Sequence, residues 1–305
     1  MARALIARQD ENPSAPIVVM APGRLPADVE RLYTDAGIPL LHDMVTGFDS
    51  LACYYAALPN SRGDQQTASA ELPPPAAKTI EPLLRRTADG TVLSEWDSSE
   101  ILRRAGIPMV ESRRAGSAAE ATAAASDLGY PVVIKALPVG IAHKDKLGLV
   151  LINIAHPSAL EAEFAALEAT LARKGFSPGE FSIILQPMVS SRIEFLAGVS
   201  TEPSLGHFLV YGLGGVHTEA LNQVELLPVP ASSDEIRDAV AASVVGRILS
   251  ARQDGAALLD QFTAILDRLQ SLVVRFGDSI KSIDINPVLV SKEGCIAVDA
   301  LIVKT

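Results

Sequence analysis

Apolar and polar positions divide the chain into short alternating segments. PIVVMAP (16–22) and PLLHD (39–43) are apolar runs of strand length, and each precedes a stretch with helical spacing, LPADVERLYTDAG (25–37) and GFDSLACYYAAL (47–58). Strand followed by helix, twice, predicts a piece of a parallel α/β sheet, and two strands alone are too few for a stable one. The opening residues MARALIARQDENPS read as the end of a helix whose strand is missing, so the remainder of this unit is expected from another chain or from a portion cut away.

Residues 61–93 lose this periodicity. They are rich in Pro, Ser and Ala and read as a linker. From Ser94 the pattern returns. EWDSSEILRRA is a helix stopped by Gly106, and a capping-box pattern, Ser117 with Glu120, opens a helix that ends at Gly129. Strands follow at 131–137 (PVVIKAL) and 149–154 (LVLINI), a helix at 157–174, and strands at 181–189, 193–199 and 206–212. Helices are expected near 233–251 and 256–276.

The last segment carries the most information. In SIDINPVLV (282–290), Ser282, Asp284 and Asn286 alternate with Ile283 and Ile285, so the polar residues share one strand face and the isoleucines the other. The turn SKEG leads to a returning strand, CIAVDALIV. If Val290 faces Cys295 across that turn, Asn286 sits opposite Asp299. Cross-strand partners have Cβ atoms about 4.5–5.5 Å apart. An amide oxygen and a carboxylate held that close suit a hard cation such as Mg²⁺, which often takes one or two protein ligands and completes its shell with phosphates. A hairpin whose polar face simply meets water shows the same pattern.

Other residues admit two readings each. Lys135, in an apolar strand, either snorkels to the surface or reaches a phosphate. Gly212, Gly214 and Gly215 make either a plain turn or a loop whose N–H groups cradle an anion. Glu194 and Glu219 are either acids at a site or edge residues, and the loop residue His143 is either inert or a nucleophile toward phosphorus.

Composition narrows the class. Hydrophobic residues make up 48% of the 305 and charged residues 20%, as in an ordinary globular protein with ample core. A net charge of −10 argues against a nucleic-acid partner, and no apolar run approaches the ~20 residues of a membrane span. Two cysteines make no disulfide framework and suit a reducing cytoplasm.

In order from Ser94 to the C-terminus, LSEWDSSEILRRAGIP, GYPVVIKAL, HKDKLG, LQPMV, IEFLAGVSTEPSLGHFLVYGLGGVHTE and SIDINPVLV with AVDA resemble the NDP-forming (ADP-forming) acyl-CoA synthetases. The nucleotide-binding half of that family is an ATP-grasp fold related to the succinyl-CoA synthetase β subunit. The resemblance implies an α/β and α+β chain: a partial flavodoxin-like segment (1–60), the linker (61–93), and an ATP-grasp domain (94–305) with lobe one at about 94–178 and lobe two at about 179–305. It implies ATP/ADP and Mg²⁺ as cofactors, a carboxylic acid and CoA as co-substrates, a CoA-binding domain or subunit as partner, and an oligomer. Lys135 would contact phosphates, and Gln186, Pro187 and Met188 would supply the hinge against adenine. Asn286 and Asp299 would bind Mg²⁺, His143 would relay phosphate, and Glu194, Glu219, Gly214 and Gly215 would line the phosphate site.

Three positions depart from the family pattern. HKDKLGLV stands where HKSDVGGV is usual, so Lys146 replaces an acid and Leu149 a glycine. Gln223 stands where an acid is usual. An ATP-grasp module that has lost its relay and serves regulation or scaffolding is therefore the alternative to a ligase, and an amide-forming ATP-grasp ligase is a third reading.

Overall fold

The structure, a computed structural model, describes residues 2–11, 17–21, 25–41, 72–86, 88, 90–138, 147–202, 205–215 and 224–305. The helix expected at 47–58 and much of the expected linker lie outside the described residues.

The N-terminal segment runs α1 (Ala2–Glu11), β1 (Val19–Met20), α2 (Ala27–Asp35) and β2 (Leu40–Leu41). The two strands pair in parallel, Val19 with Leu40 and Met20 with Leu41, as strand–helix alternation predicts. Gly37 closes α2 at φ +65°, a conformation costly to any residue with a Cβ.

Within the expected linker, residues 74–85 form helix α3 (Pro74–Arg85). Ile80 and Leu84, one turn apart, are buried in the larger core. The Pro-rich composition hid this pattern, because a proline at a helix start is compatible with the helix. Helix α4 (Glu95–Arg104) follows, capped by Ser94, whose side chain accepts from the Asp97 N–H. It buries Ile101 and Leu102 in the same core.

Strands β3 (Arg113–Ala115), β4 (Val132–Pro138), β5 (Val150–Ile154) and β6 (Phe181–Pro187) form a four-stranded sheet in the order β3-β6-β4-β5. Helices α5 (Ala118–Leu128) and α6 (Pro157–Arg173) pack on one face, joining Ala125, Leu160, Phe164 and Leu171 to Ile134 and Leu185. Strand β6, expected beyond the lobe boundary at 178/179, is hydrogen-bonded into this sheet along its whole length against β4.

The second sheet holds β7 (Glu194–Glu202), β8 (Gly206–Leu213), β9 (Val224–Pro228), β10 (Ile280–Ser291), β11 (Gly294–Ala297) and β12 (Ala300–Lys304). Its order is β11-β10-β7-β8-β9, with β12 continuing beside β10. Gly198 lets β7 lie against β10, since a Cβ there would overlap the Ile283 carbonyl. Helices α7 (Ser233–Ala242), α8 (Val244–Ser250) and α9 (Gly255–Phe276) cover one face. The helix expected over 233–251 is split at Ser243, which ends α7 and caps α8 by accepting from the Val245 and Gly246 N–H groups. At the centre, Phe262 of α9 meets Phe195 edge-on at 5.4 Å and Tyr211 at 6.4 Å between ring centroids.

Because Phe262 is fully buried where helix and sheet meet, Phe262→Ala should lower the unfolding free energy by about 3–5 kcal/mol. Urea denaturation should show an earlier midpoint with an unchanged slope.

Candidate functional site

Strand β4 alternates, so Ile134 and Ala136 enter the core under α5 and α6 while Lys135 emerges on the other face. Lys135 does not snorkel to water: it is 6% exposed. Its Nζ donates to Glu95 Oε1 at 2.8 Å and to the Val298 carbonyl at 3.0 Å, and it lies 3.6 Å from Asp299 Oδ2. Burial alone would depress the lysine pKa, but the carboxylates of Asp299 and Glu95 outweigh it and hold the pKa above the ordinary value. The ammonium is therefore a fixed positive charge at neutral pH.

Glu95 opens α4 with a completely buried side chain. Gln186, opposite Val133 across the β4–β6 ladder, shares the face of Lys135. Its amide donates to Ser112 Oγ at 3.0 Å and approaches Glu95 Oε1 at 3.5 Å. Beyond it, Pro187 ends β6 opposite Val132, and exposed Met188 donates its N–H to the Pro131 carbonyl at 2.9 Å.

The C-terminal ribbon has the predicted register. Val290 pairs with Cys295 and Val288 with Ala297; past an interruption, Ile285 pairs with Ala300 and Asp284 with Leu301. The interruption holds Asn286 and Pro287 on one strand and Val298 and Asp299 on the other, so Asn286 lies opposite Asp299. Pro287 cannot donate to a ladder, but its carbonyl accepts from the Val298 N–H at 3.2 Å. Ile283, Ile285, Ala300 and Ile302 are buried under the helices, which turns Asp284, Asn286 and Asp299 to the opposite face. From that face Asp299 reaches toward Lys135 of the smaller sheet, at 3.6 Å.

Glu194, Gly214 and Gly215 form a second group where β7 begins and β8 ends. The Gly214 N–H donates to the Glu194 carbonyl at 2.8 Å, and a Cβ at Gly214 would lie 2.8 Å from the Phe195 carbonyl group. Gly215 sits at φ +68°, where a Cβ would overlap the Glu194 carboxylate. Gly214 is required by the close Phe195 carbonyl, and Gly215 by its left-handed φ. His143 and Glu219, like Gln223, lie outside the described residues.

Divalent-metal fit follows from donor chemistry. Among the described residues, no group of three or more His, Cys, Asp or Glu side chains converges. The donor chemistry of a carboxylate and an amide oxygen across the ribbon, beside a lysine, fits Mg²⁺, which often takes one or two protein ligands and shares the rest of its shell with phosphates. Leu149 is buried in the smaller core, and the left-handed turn falls at Gly148, φ +68°. Position 149 therefore has no need of glycine.

Sequence reasoning missed Glu95 and Ser112. An acid just after an N-cap serine reads as a partner of the helix dipole, and nothing local tells it from one that turns inward.

Residues 85–303 match the family model described as an ATP-grasp domain. Over 232 residues the chain is 31% identical to the acetate–CoA ligase [ADP-forming] II subunit beta of Pyrococcus furiosus, covering 75% of this chain and 97% of that one. The crystal structure of PH1788 from Pyrococcus horikoshii superposes with a TM-score of 0.66 at 29% identity, over 75% of this chain and 97% of that one. A dinucleotide-forming acetyl-coenzyme A synthetase 1 of Ca. Korarchaeum cryptofilum, in complex with coenzyme A and Ca-AMPCP, shares the fold with a TM-score of 0.66 at 22% identity, over 75% and 100% of the two chains. With its two opposed sheets, its buried lysine and its Asn–Asp ribbon, the chain belongs to the ATP-grasp family, among the β subunits of the ADP-forming acid–CoA ligases.

Proposed function

We propose that this chain is the nucleotide-binding part of an ADP-forming acid–CoA ligase, which makes an acyl-CoA from a carboxylic acid, CoA and ATP. One observation carries the reading: Lys135 and Asp299, from different sheets, meet 3.6 Å apart, with Asn286 across the ribbon. A fixed cation, an acid and an amide oxygen are what a nucleotide phosphate with its metal requires.

In this reading Lys135 binds phosphate oxygens and neutralises charge as the terminal phosphoryl group of ATP is transferred and ADP is left. The phosphoryl group passes through His143 to the acid's carboxylate, giving an acyl phosphate; the CoA thiolate attacks its carbonyl and inorganic phosphate leaves. Mg²⁺, held by Asn286 and Asp299, would neutralise charge on the phosphates. Gln186, Pro187 and Met188 form the strand against which adenine stacks, and Glu194 with Gly214 and Gly215 borders the phosphates. His143 carries the phosphoryl group between sites, and Glu219 assists it. The buried position of Leu149 favours the ligase over an eroded regulatory module, because that replacement removes no left-handed glycine from the loop.

CoA binding belongs to a partner domain or subunit, as the designation of the Pyrococcus relative as a β subunit suggests. The assembly is an oligomer acting in the cytoplasm.

Two outcomes test this reading. Asp299→Asn should weaken Mg²⁺-dependent ADP binding about 10–100-fold in calorimetric titration, since it removes a charged ligand while preserving shape. The chain incubated with ATP, Mg²⁺, CoA and acetate but no partner should release no acyl-CoA, measured by chromatography. Full turnover by the chain alone would overturn the division of labour.

A further inference from the structure

Lys135 has three N–H donors and three acceptors around it, and the acceptors are not equivalent. Two are rigid. The Glu95 carboxylate is completely buried and accepts at 2.8 Å; the Val298 carbonyl is part of the ribbon backbone and accepts at 3.0 Å. The third, Asp299 Oδ2, is farthest at 3.6 Å and belongs to a side chain one-third exposed. Glu95 is itself held from both ends. The Leu93 N–H donates to the Ile302 carbonyl at 2.9 Å, and the Ile302 N–H donates to Ser98 Oγ at 3.1 Å, tying the start of α4 to β12.

Building on the nucleotide-binding reading, we propose that Glu95 is a positioning residue for phosphate recognition. Together with the Val298 carbonyl it anchors the Lys135 ammonium, so that only the contact toward Asp299 is exchanged when a phosphate oxygen arrives. Glu95 touches no phosphate. It acts by keeping a flexible four-carbon side chain aimed at one point, so less conformational entropy is lost when the phosphate binds. The Gln186 amide, shared between Glu95 and Ser112, fixes the carboxylate's own orientation.

Calorimetric titration of the full chain with ADP in MgCl₂, and separately with adenosine, tests this. Glu95→Gln should weaken ADP binding about tenfold while leaving adenosine, which has no phosphate, unchanged. Lys135→Met should weaken ADP binding at least as much, and adding Glu95→Gln to Lys135→Met should cost nothing further, because the two act through one contact. Glu95→Asp, which keeps the charge but withdraws it by one methylene, should show the same phosphate-specific loss and serves if the glutamine variant does not fold. Equal losses for ADP and adenosine, additive losses in the double variant, or wild-type ADP affinity in Glu95→Asp would overturn the proposal while leaving the nucleotide site in place. A wild-type chain that binds neither ligand would overturn the nucleotide reading, and this proposal with it.

Discussion

The buried ammonium of Lys135 sets the terms for the rest of the structure. A lysine 6% exposed cannot stay charged in an apolar surround without paired anions, because desolvation would expel or neutralise it. Its partners come from elsewhere: Glu95 from the start of α4, and Val298 and Asp299 from the break between β11 and β12. Both elements pack with the larger sheet, whereas Lys135 stands on the smaller one. One charge thus ties two sheets together. Removing a single partner from such a buried pair costs about 3–5 kcal/mol, because it strands the other charge.

Backbone pairing keeps these partners in register. The Val110 N–H donates to the Ala297 carbonyl at 2.8 Å, and the Ala297 N–H donates to the Pro108 carbonyl at 2.9 Å, so the segment leaving α4 runs alongside β11. Glu95 lies at the start of α4 and Ser112 just past this stretch, and Asp299 lies in the ribbon's own break. The division of surfaces follows. Each sheet spends one face on helices and core, which supply stability. The faces turned from the helices carry Lys135, Gln186, Asp284, Asn286 and Asp299, polar groups that would lose partners or solvent if buried beneath a helix.

Short-range periodicity made much of this legible. The alternation in SIDINPVLV and the length of the SKEG turn place Asn286 opposite Asp299, and the register has that offset on both sides of the interruption. Such a prediction depends only on strand geometry and one tight turn. Lys135 was harder. A lysine in an apolar strand is ordinarily satisfied by its own length, and the acid that holds it lies 40 residues earlier in the chain. Helix α3 was obscured by Pro74 and Pro75, which its first turn tolerates, and by Pro82 inside it, and the split at Ser243 by a serine that is as much a cap as a helix residue. In each case the deciding contact is distant in sequence, or the residue type suits both outcomes.

The altered loop next to β4 separates two demands that the family pattern runs together. Leu149 fills the smaller core, and its carbonyl accepts from the Ala136 N–H at 2.9 Å, while Val150 pairs with Lys135 itself. Holding Lys135 in place therefore requires an apolar anchor and a β ladder on this side of the strand, and leucine meets that requirement better than glycine, which has no side chain to pack. Left-handed freedom is required one residue earlier, where Gly148 provides it. Packing beneath Lys135 and the left-handed turn at Gly148 are thus met by adjacent residues, so position 149 can carry leucine without disturbing the charge on which the two sheets converge.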